Sequence, residues 1–135
     1  MQIKTVELEF KKNEEGIGII DITRPVEHSV IDSQMDSGIA TIQSMNSNVC
    51  ITTMELEPGT EQDIKKAFGR LSPDVRRRGD SVPERQDVRS SIVGSGITLP
   101  FRENRIIIGK WQELVMIDFD GVNNRKKVVV QIVGE

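Results

Sequence analysis

The last third of the chain, residues 94–135, limits the possible folds more than any other stretch. It holds three strand-like runs, and the middle run places Val115, Ile117 and Phe119 at a period of two. A period of two puts alternate side chains on one face of a β-strand, whereas a helix needs a period near 3.6. The chain closes on a valine-rich run. We therefore expect consecutive antiparallel strands across residues 97–133.

Alternation near the N-terminus predicts another strand. Val6, Leu8 and Phe10 alternate with polar residues, so one face of this strand is apolar. A charged segment, residues 11–16, separates it from a second apolar run, residues 17–22. Two such runs joined by a polar turn predict a β-hairpin.

A short helix is predicted next. Thr23 can cap it, and Pro25 falls in the first turn, where a missing N–H costs little. Val26, Val30 and Met35 follow at spacings that place them on one buried stripe. A Ser-Gly pair is expected to end this helix.

The middle of the chain predicts two strands and a second helix. Two β-rich runs, residues 39–45 and 49–56, are joined at 46–48 by Asn-Ser-Asn, a composition typical of tight turns. The second helix is predicted from Thr60, whose hydroxyl can cap it, to the Ser-Pro pair at 72–73, because the residue before proline disfavours the helical conformation.

Residues 74–89 carry many charges and few apolar side chains, which predicts a surface loop. Three consecutive arginines within it, Arg76 to Arg78, either hold a phosphate or form a solvated part of that loop. About eight strands and about two helices are expected in all. The predicted fold class is therefore α+β, with antiparallel β-sheets forming a sandwich-like core. Residues 1–135 are expected to form a single domain.

Charge and cysteine content argue against several functions. The chain has 18 Lys and Arg against 21 Asp and Glu, a net charge of −3, so it lacks the basic field typical of nucleic-acid-binding proteins. No apolar run approaches the roughly 20 residues that span a bilayer. The single cysteine, Cys50, allows no internal disulfide and is typical of a reducing compartment. We expect a soluble cytoplasmic protein that binds neither nucleic acid nor membrane.

Five short segments resemble one known family. They are Asp-Ile-Thr at 21–23, Ser-Gly-Ile at 37–39, Leu-Pro at 99–100, Gly-Lys-Trp-Gln at 109–112 and Asp-Phe-Asp-Gly at 118–121. These segments are similar to the corresponding segments of the YjbQ-like family. The resemblance implies an α+β fold, a homotrimer and a phosphorylated small molecule as a possible partner. It also implies a secondary thiamine-phosphate synthase activity, linked to some members, that joins a phosphorylated pyrimidine to a thiazole phosphate.

The same resemblance marks where this chain departs from the family. Lys110 replaces a threonine, Asp118 replaces a glutamate, and Val-Asn at 122–123 replaces Pro-Arg. Two positions usually occupied by histidine hold Asn46 and Asp87. An imidazole ligates a metal or moves a proton near pH 7, whereas a carboxamide binds metal weakly and moves no proton. We therefore expect reduced or lost catalysis, no metal site and no cofactor.

The resemblance implies six candidate site residues. Those at the catalytic positions are Asn46, Asp87 and Asp118, and those expected to bind the substrate are Trp111, Gln112 and Arg125. Gln112 and Asp118 are six residues apart on the predicted strand, which puts them on one face but roughly 20 Å apart. A site that uses both needs a neighbouring chain. Asp118 lies among apolar residues and is expected to be ion-paired or near a ligand.

Three other residues have simpler interpretations. The only histidine, His28, lies on the predicted first helix and is interpreted as a surface or packing residue, and Cys50 as a small buried hydrophobe. Trp111 is either a core or interface aromatic or a substrate platform. Three functional hypotheses stay open: a diverged enzyme, a small-anion-binding module without a general base, and an interaction protein that retains only the oligomer.

Overall fold

The computed structural model describes residues 1–12, 16–71, 86–120 and 125–135. Within these ranges the chain forms eight strands and three helices, and the predicted α+β class is confirmed. The strands are β1 (Gln2–Phe10), β2 (Gly18–Asp21), β3 (Gly38–Ser44), β4 (Val49–Met54), β5 (Gly96–Arg102), β6 (Arg105–Ile106), β7 (Glu113–Asp118) and β8 (Lys126–Gly134). The helices are α1 (Thr23–Asp32), α2 (Thr60–Leu71) and α3 (Gln86–Val93).

Five strands form the larger sheet, in the order β1-β8-β3-β5-β6, and all neighbours are antiparallel. Val130 of β8 faces Val6 on one side and Ile42 on the other. Even-numbered residues of β8 up to Ile132 are buried, while odd-numbered ones are exposed or half-buried. This period of two gives the sheet one apolar inner face and one outer face.

Three strands form the smaller sheet, in the order β2-β7-β4. Its central strand β7 is buried on both faces. Leu114 and Met116 join the core cluster shared with the larger sheet and α1, whereas Val115, Ile117 and Phe119 join a second cluster. The predicted common face of these last three residues is confirmed. The two sheets curl into a half-barrel around the first cluster.

The predicted hairpin between the first two strands is wrong. β1 pairs with β8, while β2 pairs with β7 in the other sheet. The strands of the last third are not consecutive neighbours either, because β7 belongs to the smaller sheet. The outward face of β1 carries Glu7 and Glu9, whereas β2 begins with the buried Gly18 and Ile19. A turn signal marks where the chain reverses, but burial decides which partner a strand joins.

The first helix keeps its predicted stripe but not its predicted cap. Val26, Val30 and Met35 are all buried. The cap position is Ile22, which makes no side-chain cap bond, and Thr23 is the first helical residue. The Thr23 hydroxyl instead contacts two carboxylates of the candidate site, so it is not available to the helix.

The second helix begins at Thr60 as predicted and packs through Phe68. The Phe68 ring meets Phe119 edge to face, with centroids 4.9 Å apart.

The third helix corrects the prediction in its first half: a short helix was expected at most over residues 90–93, whereas the structure begins it at Gln86, inside the predicted loop. Its buried residues include Arg89 and Ser90, both polar, and both have interaction partners. Polar side chains stabilised by tertiary contacts leave no apolar stripe for the sequence pattern to reveal. The arginines at 76–78 and the family departure at 122–123 lie outside the described residues.

Candidate functional site

Several predicted site residues gather at one end of β7. β3 and β4 belong to different sheets, and the turn between them crosses from one sheet to the other. The Phe119 N–H donates to the Asn48 carbonyl at 3.0 Å, and the Met45 N–H donates to the Lys127 carbonyl at 3.0 Å. We call this region the turn end, defined by residues 45–48, 118–120 and 125–127.

Asn46 is held at the turn end by its backbone. Its N–H donates to the Ser44 Oγ at 3.2 Å, and that hydroxyl donates to the Asn46 carbonyl at 3.1 Å. The Val49 N–H donates to the same carbonyl at 3.3 Å. The Asn46 side chain is half-buried, and no described residue forms a hydrogen bond with its carboxamide. The carboxamide can therefore donate to or accept from a ligand, but it cannot transfer a proton.

Asp118 is ion-paired, as expected. Its side chain is 0% exposed and its Oδ2 lies 3.3 Å from the Nζ of Lys126, a contact that is an ion pair rather than a well-formed hydrogen bond. The same Nζ lies 3.1 Å from the Asp120 Oδ2. The Asp118 Oδ1 accepts the Asp120 N–H at 2.8 Å. The Oδ2 ion pair therefore links the end of β7 to the start of β8, whereas Oδ1 fixes the backbone of the segment that follows β7.

A second buried lysine, Lys12, joins the same region. It is 1% exposed, and its Nζ donates to the carbonyl of Gly16 at 2.6 Å and to the carbonyl of Asp120. Taking a charge out of water is costly unless it is paired and hydrogen-bonded. Lys126 meets this condition through Asp118 and Asp120, and the Lys12 ammonium is hydrogen-bonded by the two backbone carbonyls.

Helix α3 brings position 87 to the turn end. Ser90 follows Asp87 by three residues, and its Oγ donates to the Ser47 carbonyl. The Gly94 N–H donates to the Ser90 carbonyl at 2.7 Å, and its φ of +107° favours glycine. The side chain of Asp87 is not among those described. A pocket of about 390 Å³ opens here and is lined by Ser47, Ser90, Ser91, Gly94 and Ser95.

Basic side chains also lie at the turn end. Arg125 directly precedes β8 and is exposed, as is Lys127, whereas Lys126 between them is buried. The alternation of β8 therefore points one cation inward to the aspartates and leaves its neighbours in solvent.

Trp111 lies at the opposite end of β7. It is 68% exposed, so it is not a core residue. The Lys110 Nζ lies 5.0 Å from the centroid of its ring, within cation–π range. Whether Trp111 contacts a neighbouring chain or a substrate stays a prediction.

Gln112 is also at this opposite end, in the turn that precedes β7. Its Oε1 accepts the Gly109 N–H at 2.6 Å, and its Nε2 lies 3.5 Å from the Thr53 Oγ1. The expectation that Gln112 and Asp118 share one face of a strand is wrong. Gln112 lies outside the ladder and is exposed, whereas Asp118 is fully buried. One chain does not bring these two residues together.

A larger cleft, of about 630 Å³, opens beside Glu113. It is lined by Asp21, Thr23, Arg24, Pro25, Glu27 and Glu113. The Thr23 Oγ1 lies 2.7 Å from the Asp21 Oδ1 and 2.9 Å from the Glu113 Oε2, and it accepts the Leu114 N–H at 2.8 Å. A hydroxyl has one proton, so it donates to only one of the two carboxylates at a time. We call Asp21, Thr23 and residues 109–113 the cleft end.

Sequence reasoning missed both buried lysines. Lys12 continues the even-numbered inward positions of Val6, Leu8 and Phe10, and Lys126 precedes Val128 with the same parity. A lysine in an apolar register is the signal that could have found them, since such a position predicts a buried cation with partners. The contact of Thr23 with Asp21 and Glu113 was missed because a threonine before a helix usually acts as its cap.

The predicted environments of His28 and Cys50 are confirmed. His28 is exposed on α1, and Cys50 is fully buried. Burial raises the pKa of the Cys50 thiol to about 12, although a backbone hydrogen bond at Ile117 partly offsets this effect. Among the side chains described, no group of three or more His, Cys, Asp or Glu is arranged to hold a metal ion. None of the three helices is long and apolar enough to cross a membrane.

Comparison with protein families and with sequences of known proteins gives one consistent result. The model of the family described as "UPF0047 protein YjbQ-like" matches residues 6–135. The UPF0047 protein YugU of Bacillus subtilis is 29% identical over 129 residues, covering 91% of this chain and 93% of that protein. A UPF0047 protein of Methanocaldococcus jannaschii is 29% identical over 139 residues, covering 99% of this chain and 92% of that protein.

Solved structures share the fold. A YbjQ-like protein of unknown function from Sulfolobus solfataricus superposes with a TM-score of 0.92 at 23% identity, and the match covers 99% of both chains. A YjbQ/UPF0047 family protein from Clostridium acetobutylicum has a TM-score of 0.86 at 25% identity, covering 95% of this chain and 99% of that one. At these identities the similarity in structure establishes the architecture, and the chemistry has to be argued from the residues.

Proposed function

This chain belongs to the UPF0047 protein YjbQ-like family, and from that membership we propose that it binds a phosphorylated small molecule at the turn end. A thiamine-phosphate synthase activity of the kind linked to some members is, in this proposal, reduced or lost. The protein would then be a small-anion-binding module that retains the pocket but lacks a general base.

The serine-lined pocket carries this proposal. Its volume of about 390 Å³ falls within the range of about 300–1,000 Å³ that small-molecule sites occupy. The Ser47 and Ser95 hydroxyls can donate hydrogen bonds to phosphate oxygens, since the Ser95 Oγ only accepts from the Gln43 Nε2. The turn that carries Ser47 and helix α3 meet at this pocket, because the Ser90 hydroxyl donates to the Ser47 carbonyl.

Charge supports the turn end over the cleft end as an anion site. Arg125 and Lys127 are exposed at the turn end, beside the buried ion pair of Asp118 and Lys126. The larger cleft is lined by three carboxylates, of which Glu27 is ion-paired with Arg105, and the other two, Asp21 and Glu113, disfavour a phosphate there. The lining cation Arg24 carries one positive charge against these two carboxylates.

Loss of catalysis rests on the residue types at the family positions. Asn46 cannot accept and release a proton, and Asp87 replaces the second histidine. Asp118 is fully buried and ion-paired with Lys126, so its carboxylate does not face the solvent-accessible pocket. A proton transfer at neutral pH would need a base from elsewhere in the assembly.

Calorimetric titration with thiazole phosphate tests the binding. The unphosphorylated thiazole alcohol is the matched ligand, and we expect it to bind at least tenfold more weakly. Ser91→Asp adds a negative charge to the pocket and should weaken phosphate binding by tenfold or more, about 1.4 kcal/mol. Ser37→Asp is the control variant, since Ser37 is equally exposed and lies beyond the other end of β3. Equal binding of both ligands, or unchanged binding by Ser91→Asp, would contradict the proposal.

Turnover tests the second part. With the phosphorylated pyrimidine and thiazole phosphate supplied together, we expect no thiamine phosphate above the uncatalysed background. Product formation that scales with the concentration of the unmodified protein would contradict the loss of catalysis while leaving the binding site intact.

We also propose that residues 1–135 form a single cytoplasmic domain that assembles as a homotrimer. Asn46 and Asp118 lie at the turn end and Trp111 and Gln112 at the cleft end, roughly 20 Å away by strand rise. A neighbouring chain could unite the two groups, and closed symmetric oligomers are the usual outcome for soluble chains. Light scattering should give the mass of three chains, and a monomer mass at micromolar concentration would contradict this assembly.

A further inference from the structure

The serine-lined pocket at the turn end is built from small polar residues. Its described lining consists of Ser47, Ser90, Ser91, Gly94 and Ser95, and none of these carries an aromatic or aliphatic side chain. The one tryptophan, Trp111, lies at the opposite end of β7. Small-molecule sites are usually lined mainly by hydrophobic and aromatic side chains, which pack against the rings of their ligands. The described lining of this pocket instead suits a ligand whose body is polar.

Two hydroxyls of this lining are available to a ligand. Ser47 is exposed, and its hydroxyl forms no hydrogen bond with any described residue. The Ser95 Oγ accepts from the Gln43 Nε2 at 2.9 Å and keeps its own proton to donate. A serine hydroxyl both donates and accepts hydrogen bonds, as does each hydroxyl of a sugar or polyol. An apolar ring in the pocket would displace water from these groups without replacing the hydrogen bonds that the water made, which is unfavourable.

Carboxamides lie next to the same two hydroxyls. Asn46 and Asn48 flank Ser47 in the turn, and both are half-buried. Neither carboxamide forms a hydrogen bond within the part of the chain that the structure describes. Gln43 uses its Nε2 on Ser95, which leaves its Oε1 as a further acceptor. A carboxamide holds a donor and an acceptor side by side, so it can bond two neighbouring hydroxyls of one ligand.

The cations near the pocket match a single anionic group. Arg125 and Lys127 are exposed at the turn end, whereas the buried Lys126 is ion-paired with Asp118. A phosphate monoester carries its charge at one end of the molecule, and exposed cations attract that end. The neutral hydroxyls and carboxamides are then left to bind the rest of the ligand. One charged end and a neutral body that bears hydroxyls are the two features of a sugar phosphate.

We propose that the serine-lined pocket binds the phosphate ester of a sugar or polyol in preference to the phosphate ester of an aromatic heterocycle. This inference rests on the phosphate site proposed above and names the class of its ligand. The pocket volume of about 390 Å³ is large enough, since sites for small molecules begin at about 300 Å³. Recognition through hydrogen bonds is selective, because a ligand that lacks the hydroxyls leaves polar groups of the site unpaired.

Calorimetric titration with three phosphate monoesters tests the ligand class. Ribose 5-phosphate has hydroxyls along a five-carbon chain, n-pentyl phosphate has the same number of carbons without those hydroxyls, and thiazole phosphate carries the aromatic ring. All three present the same phosphate group, so a difference in affinity reports on the body of the ligand. We expect ribose 5-phosphate to bind at least tenfold more tightly than either of the other two.

Substitutions in the turn test whether this pocket is the source of the preference. Ser47→Ala removes one hydroxyl from the lining, and Asn46→Ala removes the neighbouring carboxamide; the melting temperature verifies that each variant folds. We expect each to weaken the binding of ribose 5-phosphate at least fivefold and to change that of n-pentyl phosphate less than twofold. Ser37→Ala is the matched control, because Ser37 is an equally exposed serine beyond the other end of β3, and it should bind ribose 5-phosphate as the unmodified chain does.

The outcomes separate this inference from the phosphate site on which it rests. If thiazole phosphate binds more tightly than its alcohol but ribose 5-phosphate binds no more tightly than n-pentyl phosphate, the ligand class is wrong and the phosphate site stands. If ribose 5-phosphate is preferred and both turn variants keep that preference unchanged, the preference arises elsewhere and the inference fails. If none of the phosphate monoesters binds, the inference and the proposed phosphate site fail together.

Discussion

The two ends of β7 treat charge in opposite ways. At the turn end, Asp118 and Lys126 are 0% and 1% exposed and lie 3.3 Å apart. At the cleft end, Asp21 is exposed and Glu113 half-buried, and both approach the single hydroxyl of Thr23. One end neutralises its charges in the interior, and the other leaves carboxylates facing an open cleft.

At the turn end, the residues that hold the backbone in place are different from the residues that can contact a ligand. The buried ion cluster fixes the backbone around residues 118–120, and that backbone in turn holds the turn at 45–48 through the Phe119 to Asn48 hydrogen bond. The groups left facing solvent there are hydroxyls, a carboxamide and exposed cations. At the cleft end no described cation forms an ion pair with Asp21 or Glu113, so water and the Thr23 hydroxyl stabilise these two carboxylates.

Removing the buried cation should produce the largest effect on stability. Lys126→Met keeps an apolar stem of similar length but leaves the Asp118 carboxylate unpaired in the interior. Breaking a buried ion pair in this way costs about 3–5 kcal/mol of unfolding free energy. Urea denaturation monitored by circular dichroism measures it.

Lys127→Met is the control for this substitution, because Lys127 is the exposed neighbour on the same strand. Its loss should stay within about 0.5 kcal/mol, as for most surface changes. A loss below about 1 kcal/mol for Lys126→Met would mean that the buried ion pair contributes no more than a surface ion pair. The two ends of β7 would then not differ in how strongly their charged groups stabilise the fold.

The buried cluster also illustrates what the sequence could predict. The period of two in β1, β7 and β8 gave the strands and their inward faces, because alternation is a local property. The partner of each strand was not local. β1 joins β8 more than 115 residues away in sequence, and no turn signal encodes that choice. The first half of the third helix was missed for a related reason, since the buried Ser90 hydroxyl bonds to the distant Ser47 carbonyl.

Thr23→Val should produce the next largest effect, this time at the cleft end. Valine is similar in shape but removes the hydroxyl that accepts the Leu114 N–H and contacts both carboxylates. An unsatisfied buried donor costs about 1–3 kcal/mol. Urea denaturation should therefore give a loss in that range, smaller than that of Lys126→Met.

Thr52→Val provides the matched comparison, because Thr52 is half-buried and its hydroxyl makes no hydrogen bond to the described residues. We expect Thr52→Val to be near neutral. If the two threonine variants lose equal stability, the hydroxyl of Thr23 is not what organises the cleft end.

The candidate site was predictable in part. Counting along the family segments led to Asn46 and to position 87, and the turn and the helix that carry them do meet through the Ser90 hydroxyl. Gln112 was wrongly assigned to the strand, because the sequence does not reveal that its own side chain closes the turn onto Gly109. The serine-lined pocket was not predicted, since single serines spread over two segments form no motif until the fold joins them.

The smallest expected effect concerns Cys50, which pairs with Ile117, the residue before Asp118 at the turn end of β7. Burial raises the pKa of the Cys50 thiol from 9.0 to about 12, so the folded chain favours the protonated thiol. The stability from this preference is fully present below pH 9 and is lost as pH rises towards 12, because the unfolded chain releases its proton first. Between pH 8 and pH 10 the unmodified chain should lose about 1.4 kcal/mol more than Cys50→Ala, about one pKa unit's worth. Equal losses in the two proteins, measured by urea denaturation at both pH values, would show that water reaches this thiol and that the turn end is not closed.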